Sequence, residues 1–177
     1  MVSRAEFQVD APGLADEGQR LFYQFGVGLG FLATIRKDGG SRLHPVCPII
    51  AADGLYVFVV PSLKRADLRR DGRYALHSYP PVDVNDEFCV TGSVAEVEDP
   101  DVRAAVAAAY LDEVGEGWSL FALDIERCVH AKHRHRDDWP PAYTKWIDPA
   151  DGQRMGSDQH PRSRQHPYDT FARLFPL

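Results

Sequence analysis

Apolar and polar positions alternate with two different periods along this chain, and the changes of period divide it into short elements. In LADEGQRLFYQF (14–25), Leu14, Leu21, Phe22 and Phe25 fall near one helical face, which predicts a short amphipathic helix. Residues 1–13 carry no such period and read as an irregular arm. Strand-like runs follow at 29–36, 42–50 and 55–60, separated by the breakers Asp38-Gly39-Gly40 and Asp53-Gly54. LYVFVV (55–60) is apolar at every position, so that strand is expected to be buried on both faces. Ser62 is placed to cap a helix that runs to Arg70, and Asp71-Gly72 ends it. RYALHSY (73–79) reads as a strand ended by Pro80-Pro81. EFCVTGSVAEVE (87–98) reads as a long strand in which Gly92 marks a bulge or a close backbone approach. Asp99-Pro100 opens a helix to about 111, with Val102, Val106, Ala109 and Tyr110 at helical spacing. In residues 118–132, Phe121, Leu123 and Ile125 alternate with Asp124 and Glu126, which predicts a last, half-exposed strand.

Six strands with short breakers and few crossovers argue against a doubly wound parallel sheet. They predict a mainly β fold, an antiparallel barrel with peripheral helices, over residues 1–132. Residues 133–177, rich in His, Arg, Pro and Asp, are expected to form an extended tail on the barrel or on a partner. Trp139, Tyr143, Trp146 and Phe171 would pin it.

Composition narrows the function. The 177 residues carry a net charge of −6, which argues against a general nucleic-acid binder. No apolar run approaches the ~18 residues of a membrane span, and MVSRAEFQVDAPG lacks the apolar centre of a signal peptide. A soluble, cytoplasmic protein is expected. Cys47, Cys89 and Cys128 are widely spaced and odd in number, which reads as reduced thiols.

Four groups of residues could carry chemistry. Ser62, Lys64 and Arg65 lie at a helix start, where free N–H groups, the helix dipole and two cations suit a phosphate. The same residues also suit a capped surface helix with solvated cations. Arg42 and His44 are two apart and share one strand face, either toward the same cavity or on a plain polar edge. In Val46-Cys47-Pro48-Ile49, Pro48 cannot donate to a ladder, so the sheet is expected to open there, either to leave backbone groups for a planar heterocycle or as a plain edge irregularity. His130, His133 and His135 with Asp137 and Asp138 lack a specific ligand spacing, so no metal site is assigned. Gly26, Gly28 and Gly30 imitate a dinucleotide fingerprint, but the spacing is wrong and they follow a helix. The chain has no phosphate loop, no H-E-x-x-H and no G-x-S-x-G.

FLATIRKDGGSRLHPVCPII, GLYVFVVPSLKRADLRRDGRYALHS and FCVTGSVAEVED, taken in order, resemble the pyridoxamine 5′-phosphate oxidase-like, FMN-binding split-barrel proteins over about residues 20–132. The most specific parts are the opening strand pair, Ser62-x-Lys64-x-x-x-Leu68, and the Val-Thr-Gly-Ser-Val-Ala strand. The resemblance implies a six-stranded split barrel and a homodimer with two cofactor sites at its interface. It implies that an FMN phosphate meets Arg42, Ser62, Lys64 and Arg65. The ring edge would lie along Val46, Cys47 and Pro48 and along Val59, Val60 and Pro61. His44 and His77 would stand nearby, and Trp118 would cover the ring from the second subunit. The function implied is flavin-dependent oxidoreduction of a small molecule, with no residue assigned as catalytic. Relatives of this looser kind also bind a deazaflavin coenzyme, for which Arg65, Arg69 and Arg70 would serve the acidic tail, or haem. A third reading is not enzymatic: a flavin- or haem-binding carrier, or a cofactor-free dimer with an interaction role. True pyridoxamine phosphate oxidases carry an Arg-x-His pair near the C-terminus, whereas here Arg134 and His135 are adjacent.

Overall fold

The structure, a computed structural model, describes residues 2–135 and 139–150. Its elements are α1 (Arg4–Asp10), α2 (Pro12–Phe22), β1 (Gly30–Ile35), β2 (Ser41–Val46), β3 (Ile49–Ala51), β4 (Gly54–Val59), α3 (Leu63–Arg70), β5 (Arg73–Ser78), β6 (Glu87–Glu96), α4 (Pro100–Ala108), β7 (Ser119–Lys132) and β8 (Ala142–Ile147). All strand pairs are antiparallel, in the order β2-β1-β5-β6-β7-β4-β3, with β8 beside β7.

The two ends of that order are β2 and β3, and only Cys47 and Pro48 separate them in the chain. Three peptide steps reach no more than ~11 Å. The sheet must therefore curl until its edges nearly meet, which makes a barrel split between β2 and β3. The six strands expected become eight among the described residues. The run 42–50 divides at Cys47-Pro48, and β8 returns along β7 from within the expected tail.

β7 is long enough for three partners to share one of its edges. β4 pairs with Ser119 to Ala122, Val2 bridges to Ile125, and β8 pairs with Arg127 to Lys132. On its other side β6 follows it throughout, with a register shift between Thr91 and Gly92. A Cβ on Gly92 would lie 2.0 Å from the Asp124 carbonyl oxygen, so only glycine permits this approach.

The main core fills the barrel with Leu32, Val57, Val59, Leu76, Phe88, Phe121, Leu123 and Ile125, and α1 and α2 close it with Phe7, Leu21 and Phe22. A second cluster, Ile49, Tyr56, Phe58, Val106 and Leu120, lies under α4. β4 is buried on both faces because its alternate residues serve the two clusters. Each such side chain contributes roughly 1.5–3 kcal/mol on burial.

The N-terminal arm is a correction: residues 4–10 are helical. Ser3 and Glu6 form a capping box, and buried Phe7 anchors the helix. α2 starts at Pro12 and stops at Phe22, earlier at both ends than the expected 14–25. Among the described residues no helix is long and apolar enough to cross a membrane.

Candidate functional site

α3 lies over one mouth of the barrel and is fastened on both sides. Leu68 drops into the core. Arg65 Nη1 donates to the Gly117 carbonyl at 2.8 Å, and Arg69 grips Glu96 through two bonds of 2.7 and 2.6 Å. On the opposite side Asp67, 4% exposed, accepts from Arg42 Nε at 2.7 Å, from Thr34 Oγ1 at 3.3 Å and from Arg70 Nη1 at 3.0 Å. Burial alone would raise the Asp67 pKa. The bonds from Arg42 and Arg70 outweigh it and hold the carboxyl below its ordinary value.

Strand register then decides which candidates meet. Thr34 faces Arg42 across the β1–β2 ladder, Leu32 faces His44 and Gly30 faces Val46. Leu32 and Thr34 are buried, so Arg42, His44 and Val46 share the inner face at the mouth beneath α3. Lys64, on the first turn of α3, is half-buried. Burial lowers its pKa, opposed by the nearby Cys47 thiol. His44 is also held below its ordinary value, first by burial and then by the charges of Lys64 and Arg42. Its Nε2 is buried with no hydrogen-bond partner. Tyr110 completes the group from just beyond α4, its hydroxyl pushed up by burial and by Cys47. Arg42, His44, Cys47 and Lys64 thus lie in one cluster, and Ser62 caps α3 beside it. Its Oγ accepts from Arg65 N–H at 3.4 Å and donates to the Val60 carbonyl at 3.0 Å.

Other candidates stand differently. The ladder does break at Cys47-Pro48, and the Pro48 carbonyl and Ile50 N–H on its far side are engaged. The Tyr23 hydroxyl donates to the Pro48 carbonyl at 3.4 Å and accepts from Ile50 N–H at 2.9 Å. Gly28 presses against the same carbonyl, where a Cβ would lie 1.8 Å from the oxygen, so its role is close packing. Val46 and Pro48 are buried, and Cys47 is exposed. Val59 belongs to the core, whereas Val60 and Pro61 are exposed. Arg65 donates from Nη1 to the Gly117 carbonyl. His77 pairs with Phe31 and Cys89 on the outer face of the sheet, opposite to His44, and its Nδ1 lies 2.7 Å from the Ser78 carbonyl oxygen. Trp118 packs edge-on against Tyr110 in its own chain. His130 and His133 lie at the far end of β7. Among the described residues no three His, Cys, Asp or Glu side chains could hold a metal, and Asp137 and Asp138 lie outside those residues.

Asp67, Tyr110 and Tyr23 did not emerge from the sequence. The one available signal was Asp67 itself, the single acid in the basic helix LKRADLRR, three residues from both Lys64 and Arg70.

No protein-family model and no curated protein matches this sequence. Solved structures do match. A pyridoxamine 5′-phosphate oxidase-related, FMN-binding protein from Nostoc punctiforme superposes with a TM-score of 0.53 at 14% identity, over 80% of this chain and 96% of that one. A NimC/NimA family protein from Clostridium acetobutylicum gives 0.55 at 15% identity, over 76% and 94%. A haem-binding protein from Mycobacterium smegmatis gives 0.57 at 16% identity, over 73% of this chain but 57% of that protein. At these identities the likeness shows the fold: the chain is a split barrel of the kind found in pyridoxamine 5′-phosphate oxidase-related proteins.

Proposed function

We propose that the protein is an FMN-binding oxidoreductase that acts as a homodimer on a small organic molecule. The observation that carries this reading is Lys64. It is a half-buried ammonium with no ion-pair partner among the described residues, on the first turn of a capped helix and beside His44 and Arg42. A desolvated cation needs an anion to repay its burial. Arg42 spends Nε on Asp67 and keeps its two terminal nitrogens, which make no bond among the described residues. With the N-terminal N–H groups of α3, these donors fit a phosphate monoester.

A solved neighbour of the same fold is described as FMN-binding. When bound, FMN supplies the hydride chemistry. The chain's own residues hold the phosphate through Lys64, Arg42 and the Ser62-capped turn. Exposed Cys47, Val60 and Pro61 lie along the rim where a ring would rest. Arg65 Nη1 is held by the Gly117 carbonyl and Trp118 packs on Tyr110, which keeps both beside that rim. No side chain is assigned a catalytic proton transfer. The deazaflavin reading ranks lower, because two of the three cations offered for its acidic tail are paired with carboxylates. Arg65 is on Gly117, Arg69 on Glu96, and Arg70 on Asp67 and the Ile35 carbonyl. Haem binding is described for one neighbour, and no arrangement of this site favours it.

The homodimer reading rests on the outer face of β2-β1-β5-β6. Two of its cross-strand rows are Leu43-Ala33-Ala75-Thr91 and Pro45-Phe31-His77-Cys89. Outward rows of an antiparallel sheet are ordinarily polar. These carry no Asp, Glu, Lys or Arg, and Leu43 is 63% exposed. A second copy would cover them and bring His77 to an interface.

The test is FMN affinity. Arg42→Ala and Lys64→Ala should each weaken it by more than ~tenfold, the loss of one charge-assisted bond of about 1.5–3 kcal/mol. Unchanged affinity in both variants sinks the phosphate assignment.

A further inference from the structure

His44 carries an inference that deepens the site just proposed and rests on that reading. Its ring stands on the inner face with Arg42, two residues along β2, and under Lys64 of α3. Asp67 is the carboxylate near it, and both Asp67 oxygens are engaged. Oδ2 is held by Arg42 and Thr34, and Oδ1 by Arg70. Opposite His44 on β1 stands Leu32, which offers nothing polar. Nε2 is buried and has no partner. A ring between two cations, with no acceptor at hand, holds one proton on its two nitrogens. A buried ring nitrogen without a partner is also rare unless an incoming group completes it.

We propose that His44 is the proton-linked member of the anion site. It is neutral in the absence of an anion. It takes one proton from solvent when a phosphate monoester settles across Lys64 and Arg42, so that three cations hold the ligand. The charge arithmetic supports this. Lys64 and Arg42 each add one positive charge beside the ring, and Asp67 returns one negative charge that its arginines already share. A phosphate of about −1.5 to −2 charge reverses the sign of the field at the imidazole, and its oxygens supply the missing acceptor. The depressed pKa of the free ring agrees with the neutral starting state. The site would then discriminate by charge. A phosphorylated ligand gains a proton-dependent contact that a dephosphorylated one does not.

The test is isothermal calorimetry of FMN binding near neutral pH in two buffers of different ionisation heat. Wild-type protein should take up a measurable fraction of a proton per FMN. Its affinity should weaken by ~tenfold as pH rises across the imidazole range, the equivalent of a one-unit shift. His44→Gln should bind FMN more weakly, with that proton uptake gone. Proton exchange by the FMN phosphate itself is common to both proteins and cancels in the comparison. A second measurement does not depend on the variant's folding: the NMR-detected pKa of the His44 ring should rise on adding inorganic phosphate. Equal proton uptake in both proteins, or a ring pKa indifferent to phosphate, overturns the inference while leaving the FMN site standing. Failure of wild-type protein to bind FMN at all overturns both.

Discussion

Asp67 and His130 are both nearly buried, and they answer burial in opposite ways. Asp67 stays charged because two arginines reach it from different elements. His130, 4% exposed against the Phe88 ring, has no partner for Nε2, and burial holds its pKa below the ordinary value. Glu17 and Asp86 oppose that shift without cancelling it. Below the unfolded value of about 6.5, the unfolded chain binds a proton that the folded one refuses. Stability should therefore fall as pH drops from about 6.5 toward the folded pKa, and His44 contributes with the same sign while no anion is bound. The urea midpoint should drop between about pH 7.5 and pH 5.5, and His130→Leu should lessen the drop. An equal drop in the variant would count against this assignment. At this scale the sequence was informative where a residue's role is local. Ser62 and Lys64 declare themselves by their place at a helix start. Asp67 does not, because its bond to Arg42 crosses 25 residues and depends on which face α3 turns to the hairpin.

Elements were legible where one period dominates and obscure where a partner decides. β4, β6, β7, α3 and α4 follow their patterns closely. α1 was missed although Ser3-x-x-Glu6 is a capping signature, because a helix of seven residues shows almost no periodicity. β8 was missed because all its residues but half-buried Trp146 are exposed. It is a strand through pairing with β7, and Trp146 secures it, donating to Asp10 at 2.6 Å and meeting Phe7 edge-on. The β3–β4 hairpin shows a one-residue misreading. Its turn is Ala52-Asp53 rather than Asp53-Gly54, closed by the Ala51–Gly54 pair, with φ of 44° and 61° in the left-handed region. Such a two-residue turn favours Asn-Gly. The double substitution Ala52→Asn, Asp53→Gly should raise unfolding free energy by about 1 kcal/mol, because Ala52 disfavours that backbone and glycine adopts it more readily than Asp53. The Asp53 carbonyl that accepts from Ala5 N–H would be kept. A neutral or negative change in chemical denaturation would contradict the strain.

On the scale of the whole molecule, closure follows from one local event. The chain breaks its ladder at Cys47-Pro48, Tyr23 bridges the gap, and the two sheet edges are tied together there. The same break lifts Cys47 to the rim beside Lys64 and Tyr110. Fold and site therefore share an origin, which explains why the antiparallel barrel could be read from strand spacing while the partners at its mouth could not. Closure also leaves two cross-strand rows of the outer face of β2-β1-β5 without an acid, lysine or arginine. If a second copy covers it, Leu43→Glu should place a charge in that contact and shift sedimentation equilibrium toward monomer, with the circular dichroism spectrum unchanged. A wild-type protein that is monomeric at micromolar concentration would remove the dimer from the proposal. The most direct test of the proposed site compares FMN with riboflavin, which has the same ring and no phosphate, by quenching of flavin fluorescence. FMN should be retained and riboflavin should bind at least ~tenfold more weakly, because the anchor is the phosphate on Lys64 and Arg42. Equal affinity for the two, or binding of neither, would contradict it.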